Sequence, residues 1–171
     1  MKIVLVGYMG SGKSTIGKCL SKDLKINFLD LDAYIEESLG ETVSTIFKDK
    51  GELFFRKKEH EYLQEILEEQ DNFVLSTGGG TPCYGNNMET IAKYTGTSFY
   101  LKNSISELVD RLEKEKSTRP LIKHLLSEDL PEFIGKHLFE RSYYYMQSNY
   151  TINASDKSID AIVDEIKTLL V

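Results

Sequence analysis

The chain has 171 residues, 40% of them hydrophobic and 28% charged, which suits a globular domain that buries about 70% of its unfolded surface without a disulfide or metal staple. Its 21 lysines and arginines against 27 aspartates and glutamates give a formal net charge of -6. That excludes a general attraction to nucleic acid or to anionic membranes and leaves any bound anion to a local site.

Apolar runs of strand length alternate with longer helical patterns. The first strand is expected at Ile3 to Val6. Gly7-Tyr8-Met9-Gly10-Ser11-Gly12-Lys13-Ser14 follows it and opens a helix over Lys13 to Leu24, so the G-x-x-x-x-G-K-[ST] pattern sits in its proper context. Glycines let backbone N–H groups turn toward phosphate oxygens, and the helix N-terminus adds its positive dipole end. Lys13 is expected to reach the β- and γ-phosphates of a nucleotide, and the Ser14 hydroxyl to ligate Mg²⁺.

The second strand, Asn27 to Asp30, runs into Asp30-Leu31-Asp32. Residues two apart on an extended strand share a side, which would bring both carboxylates beside the phosphate loop. One of Asp30 and Asp32 would then hold Mg²⁺ through water and the other accept a proton from a hydroxyl. The competing reading makes Asp32 the N-cap of a helix starting at Ala33. Val43 to Gln70 reads as one or two helices with a break near Gly51, and it carries Arg56 and Glu59 one turn apart. A solvated charged face is the alternative for that pair.

The third strand, Phe73 to Ser76, ends in Thr77-Gly78-Gly79-Gly80. Three glycines are entropically costly and imply either a ligand lying close to the backbone or a tight turn. The fourth strand is expected at Thr97 to Leu101, followed by a helix over Ile105 to Lys116. Lys114 to Ser127 is the least regular stretch and reads as a mobile loop carrying Arg119-Pro120. A helix over Leu130 to Gln147 carries Arg141 and the run Tyr143-Tyr144-Tyr145, to which packing alone is assigned. The last strand is Tyr150 to Asn153 and the last helix Ile159 to Leu170. Alternating β and α elements predict a parallel sheet covered on both faces.

Only four of the 21 basic residues are arginines: Arg56, Arg111, Arg119 and Arg141. Arginine offers a planar fork for carboxylate or phosphate where lysine offers a point charge. All four lie near other chemical signals, which suggests two forks for an acceptor and two for a nucleotide. Cys19 and Cys83 are 64 positions apart and His60, His124 and His137 are scattered, so neither a disulfide framework nor a histidine metal site is expected. No run reaches the length of a signal core or membrane span, so a cytoplasmic location is expected.

With these motifs in order, the chain resembles the shikimate kinase family over essentially its whole length. The matching pieces are Gly7 to Thr15, Asp30-x-Asp32, Gly51-Glu52-x-x-Phe55-Arg56-x-x-Glu59, Thr77-Gly78-Gly79-Gly80, Arg119-Pro120-Leu121 and Glu140-Arg141. The phosphate loop alone is shared by many unrelated nucleotide-binding proteins; the ordered set is specific.

The resemblance implies a three-layer α/β/α fold with a five-stranded parallel sheet in the order 2-3-1-4-5, related to nucleoside monophosphate kinases. It implies ATP-dependent phosphorylation of the 3-hydroxyl of shikimate, in aromatic amino-acid biosynthesis. Carried over, Gly10, Ser11, Gly12, Lys13, Ser14, Thr15, Arg111 and Arg119 would bind ATP, with Arg111 on the adenine. Asp32, Arg56, Gly78, Gly79, Gly80 and Arg141 would hold shikimate, and Lys13, Asp32 and Arg119 would be catalytic. One domain over 1–171 is implied, with a lid at about 114–127 and a substrate-binding helical region at about 32–62. A monomer acting on small molecules is expected. Two departures stand out. Tyr143 replaces the family's usual Pro, and residues 153–158 lack the Arg and Pro often found in the adenine loop, so only backbone contacts to adenine are implied there. A gluconate or nucleoside monophosphate kinase of the same fold is the rival enzyme. A GTP-dependent switch is disfavoured because no Asn-Lys-x-Asp guanine motif is present.

Overall fold

A computed structural model describes residues 1–170. Five strands, β1 (Lys2–Val6), β2 (Asn27–Asp30), β3 (Phe73–Ser76), β4 (Ser98–Lys102) and β5 (Tyr150–Asn153), form one sheet in the order β2-β3-β1-β4-β5. Every pairing is parallel, so each crossover must return over a face of the sheet, which is where the helices lie. The order matches the one implied by the resemblance.

β1 is central and explains the two cores. Ile3 and Leu5 point to one face, with Ile16 and Leu20 of α1 (Lys13–Leu24) and Ile162 and Ile166 of α8 (Ile159–Leu169). Val4 and Val6 point to the other, with residues of α2 (Leu31–Leu39), α4 (Glu52–Glu69) and α7 (Leu130–Tyr145). The period of two along a strand divides four consecutive buried residues between two layers.

The expected break falls at Gly51, which has φ 84° and separates α3 (Val43–Lys50) from α4. A short helix, α5 (Asn87–Tyr94), was not expected from the sequence. Its apolar positions, Met88 and Ile91, are buried, but eight residues give too few turns for a clear period. α6 (Ile105–Glu115) is capped by Ser104, whose hydroxyl accepts from the Glu107 N–H. It ends in a 3₁₀ turn at Lys116–Thr118, and no further helix forms before α7. Arg119 is extended (φ -105°, ψ 102°), as the following proline requires.

Candidate active site

At the carboxyl ends of β1, β2 and β3, where open parallel sheets place their ligands, lies a cavity of about 400 Å³. Its floor is the loop between β1 and α1. Gly10 and Gly12 hold φ of 77° and 92°, a region that side chains strain to enter, so both must be glycine. Lys13 begins α1 and is buried. Its Nζ donates to the carbonyls of Gly7 at 2.8 Å and Tyr8 at 2.9 Å. Burial lowers its pKa to about 8; Asp32 opposes that shift and Arg119 adds to it. Ser14 Oγ donates to Asp30 Oδ2 at 2.9 Å and lies 3.2 Å from Ser76 Oγ.

Both aspartates line the cavity, but strand alternation is not the cause. β2 ends at Asp30, whose side chain accepts from the Ala33 N–H and caps α2. Asp30 is therefore the cap, not Asp32, and Asp32 enters the cavity from the first helical turn. Burial raises the Asp32 pKa to about 6, with further contributions from Glu59 and Asp30 against the opposing pull of Lys13 and Arg56.

The three glycines after Thr77 do not take left-handed conformations, so a turn requirement does not explain them. Close approach does. A Cβ at Gly78 would stand 3.2 Å from Asp32 Oδ1 and 3.4 Å from Glu59 Oε1. At Gly79 it would stand 3.1 Å from the Met9 nitrogen and 3.6 Å from an Arg141 guanidinium nitrogen; at Gly80, 2.6 Å from one of Arg56. Adjacent glycines thus face Arg141 from α7 and Arg56 from α4.

Arg56 is held on several sides. It donates to Glu59 at 2.9 Å, and its guanidinium lies 3.9 Å from the Tyr84 ring centroid. Glu59 is 1% exposed and also accepts from Thr81 Oγ1 at 2.6 Å, so the reading of this pair as a solvated face is overturned. Among the described residues, Arg141 has no carboxylate within ion-pair distance. Arg111 donates to the Gly10 carbonyl at 3.1 Å and pairs with Glu107. Arg119 also lines the cavity and pairs with Glu115 at 2.5 Å.

Sequence reasoning missed several residues here. Ser76 and Thr77 line the cavity, as do Lys157, Ile159 and Ile162. Lys157, in the loop at 153–158, borders the cavity while its Nζ donates to Glu165 at 2.5 Å. Tyr145, assigned to packing, is buried but donates its hydroxyl to the Gly79 carbonyl at 2.6 Å. Nothing in its sequence context separates it from the exposed Tyr143 beside it. Among the described residues no cluster of three His, Cys, Asp or Glu is arranged to hold a metal ion, and no helix is long and apolar enough to cross a membrane.

A family model described as Shikimate kinase matches residues 9–170. A protein of Flavobacterium psychrophilum called shikimate kinase is 53% identical over 169 residues, covering 99% of this chain and 98% of that one. The crystal structure of shikimate kinase from Bacteroides thetaiotaomicron superposes with a TM-score of 0.92 at 37% identity, covering 99% and 98% of the two chains. The shikimate kinase of Acinetobacter baumannii in complex with shikimate gives a TM-score of 0.87 at 32% identity, covering 99% of this chain and 92% of that one.

Proposed function

This chain belongs to the shikimate kinase family, and from that premise we propose how its residues divide the reaction. The enzyme transfers the γ-phosphoryl group of ATP to the 3-hydroxyl of shikimate, giving shikimate 3-phosphate and ADP. The observation that carries the residue assignments is the convergence of Lys13, Asp32, Arg56 and Arg141 around Gly78, Gly79 and Gly80.

The loop amides from Gly10 to Thr15 and the α1 N-terminus receive the phosphates. Lys13 exchanges its carbonyl partners for phosphoryl oxygens and stabilises the charge that develops on them. Arg111, already tied to the phosphate loop, would stack on the adenine, in a cavity that Lys157 and Ile159 also line. Asp32 takes the proton of the attacking hydroxyl. Arg56 and Arg141 grip the shikimate carboxylate with their forks, and the backbone of Gly78, Gly79 and Gly80 lets the ring lie close.

Ser14 and Asp30 suit Mg²⁺. Their hydroxyl and carboxylate oxygens already meet at 2.9 Å, and Mg²⁺ prefers a few hard oxygen ligands together with water and substrate phosphate. The bound ion would neutralise charge on the β- and γ-phosphates.

The reading assigns one domain to residues 1–171, substrate-binding helices to about 32–62 and a lid to about 114–127. The lid would carry Arg119 onto the phosphates and exclude water, which competes for the phosphoryl group. The reliance on ATP, the small-molecule acceptor and the acidic chain support a cytoplasmic monomer acting alone. A coupled ADP-release assay over shikimate, quinate, gluconate and AMP tests the reading. Shikimate is expected to be the best acceptor; a higher kcat/KM for gluconate or AMP would remove it.

The clamp gives a sharper expectation. Arg56→Lys and Arg141→Lys each keep the charge but lose the paired hydrogen bonds, worth about 1.5–3 kcal/mol for a charged bond. Calorimetry should show shikimate affinity roughly 10- to 100-fold weaker in each, with ATP affinity little changed. Arg119→Ala, by contrast, should lower kcat and leave shikimate affinity in place. Unchanged shikimate binding in both lysine variants would refute the clamp.

A further inference from the structure

His137, Arg141 and Tyr145 follow one another at intervals of four along α7, so they share one face of the helix. The residues on either side of Arg141 are each fastened to a different part of the active site. His137 Nδ1 lies 2.8 Å from the Tyr8 hydroxyl, and Tyr8 is in the phosphate loop, where its carbonyl accepts from Lys13. Tyr145 donates to the carbonyl of Gly79 at 2.6 Å. Arg141 lies between these two attachments, with no carboxylate of the described residues to orient it.

Burial raises the pKa of both tyrosines far above the ordinary phenol value, so both hydroxyls keep their protons, and that of Tyr145 can only donate to the Gly79 carbonyl. Burial, and then the charge of Arg141, lowers the His137 pKa to about 4. The imidazole is therefore neutral and adds no second positive charge beside the fork. The Tyr145 ring also packs on Tyr100, 5.2 Å between centroids, so it is fixed apart from its hydroxyl.

We propose that Tyr145 and His137 are positioning residues. They fasten α7 to the Gly79 carbonyl and to Tyr8, and so set the Arg141 fork at a fixed distance from the Gly79–Gly80 peptide. This rests on the reading in which Arg141 grips the acid. A helix pinned only one turn below and one turn above the fork leaves little room for the guanidinium to drift, so the ordering cost is met on folding rather than on binding.

Tyr145→Phe keeps the packed ring and removes the hydroxyl; Tyr8→Phe does the same at the other attachment. Calorimetry on the full chain should show shikimate affinity falling about 5- to 20-fold in each variant. ATP affinity should stay within about twofold and the melting temperature within a few degrees. Placed in an Arg141→Lys background, Tyr145→Phe should add less than twofold, because the fork it positions is already gone. Unchanged shikimate affinity in both variants, equal losses for shikimate and ATP, or a full further loss in the Arg141→Lys background would each overturn the proposal. If Arg141→Lys alone leaves shikimate binding intact, the clamp fails first, and the two single phenylalanine variants then report on the attachments separately. Should Tyr145→Phe fail to fold, Tyr8→Phe alone and combined with Arg141→Lys carries the same comparison.

Discussion

Lys13→Ala is expected to lower kcat by about 10³-fold or more while the chain stays folded. The ammonium is a positive charge fixed in the floor of the phosphate loop, and such charges act on the transferring phosphoryl group in a site that excludes water. The fold does not depend on it. A buried lysine whose pKa is lowered to about 8 is charged at neutral pH at a cost to the native state, because the unfolded chain holds that proton more tightly. Alanine removes this cost together with the bonds to Gly7 and Tyr8, so the melting temperature should move by only a few degrees. Turnover within a few-fold of the parent, with the variant folded by circular dichroism, would refute the assignment of the phosphate loop.

Asp32→Asn should lower kcat by about 10²- to 10⁴-fold, the usual range for a positioned general base. The pH dependence has a definite sign. The native pKa is raised to about 6, so the base is protonated and idle below that value. In the parent, kcat/KM should rise about tenfold per pH unit up to pH 6 and then level off. The asparagine variant should lack that limb.

Stability should move the other way. A carboxyl group whose native pKa lies above its unfolded value stabilises the fold at low pH and loses that contribution as pH rises from about 4 to 6. At pH 7 the ionised Asp32 therefore costs the fold about 3 kcal/mol, and asparagine relieves it. An Asp32→Asn protein that melts no lower than the parent and turns over poorly would separate chemistry from folding. Normal turnover would leave positioning and charge stabilisation as the whole mechanism.

The alternation of short apolar runs with helical periods identified the parallel sheet, because a strand buried on both faces needs β-branched and aromatic residues without alternation, and the crossover between parallel strands needs a helix. The phosphate loop was legible because its chemistry is local. Three glycines at positive φ, a lysine and a hydroxyl all lie within eight residues, and strand and helix flank them. The break at Gly51 and the extended Arg119 before Pro120 were legible for the same reason, since φ and ψ are set by near neighbours.

Contacts between distant segments were not legible. Whether Arg56 and Glu59 lie on a solvated face depends on Thr81 and Tyr84, residues more than twenty positions away. Asp30 and Asp32 have the same formula and both line the cavity, and only the end of β2 decides that Asp30 caps a helix while Asp32 lies in its first turn. Tyr143 and Tyr145 differ by two positions, and on α7 that rotation carries one into solvent and the other onto Gly79. The residue types and their order come from the chain itself. Which acid is desolvated, which arginine meets no carboxylate among the described residues and which tyrosine holds a backbone carbonyl were decided by packing, because desolvation and hydrogen-bond partnership belong to the folded surroundings of a group and not to its neighbours in sequence.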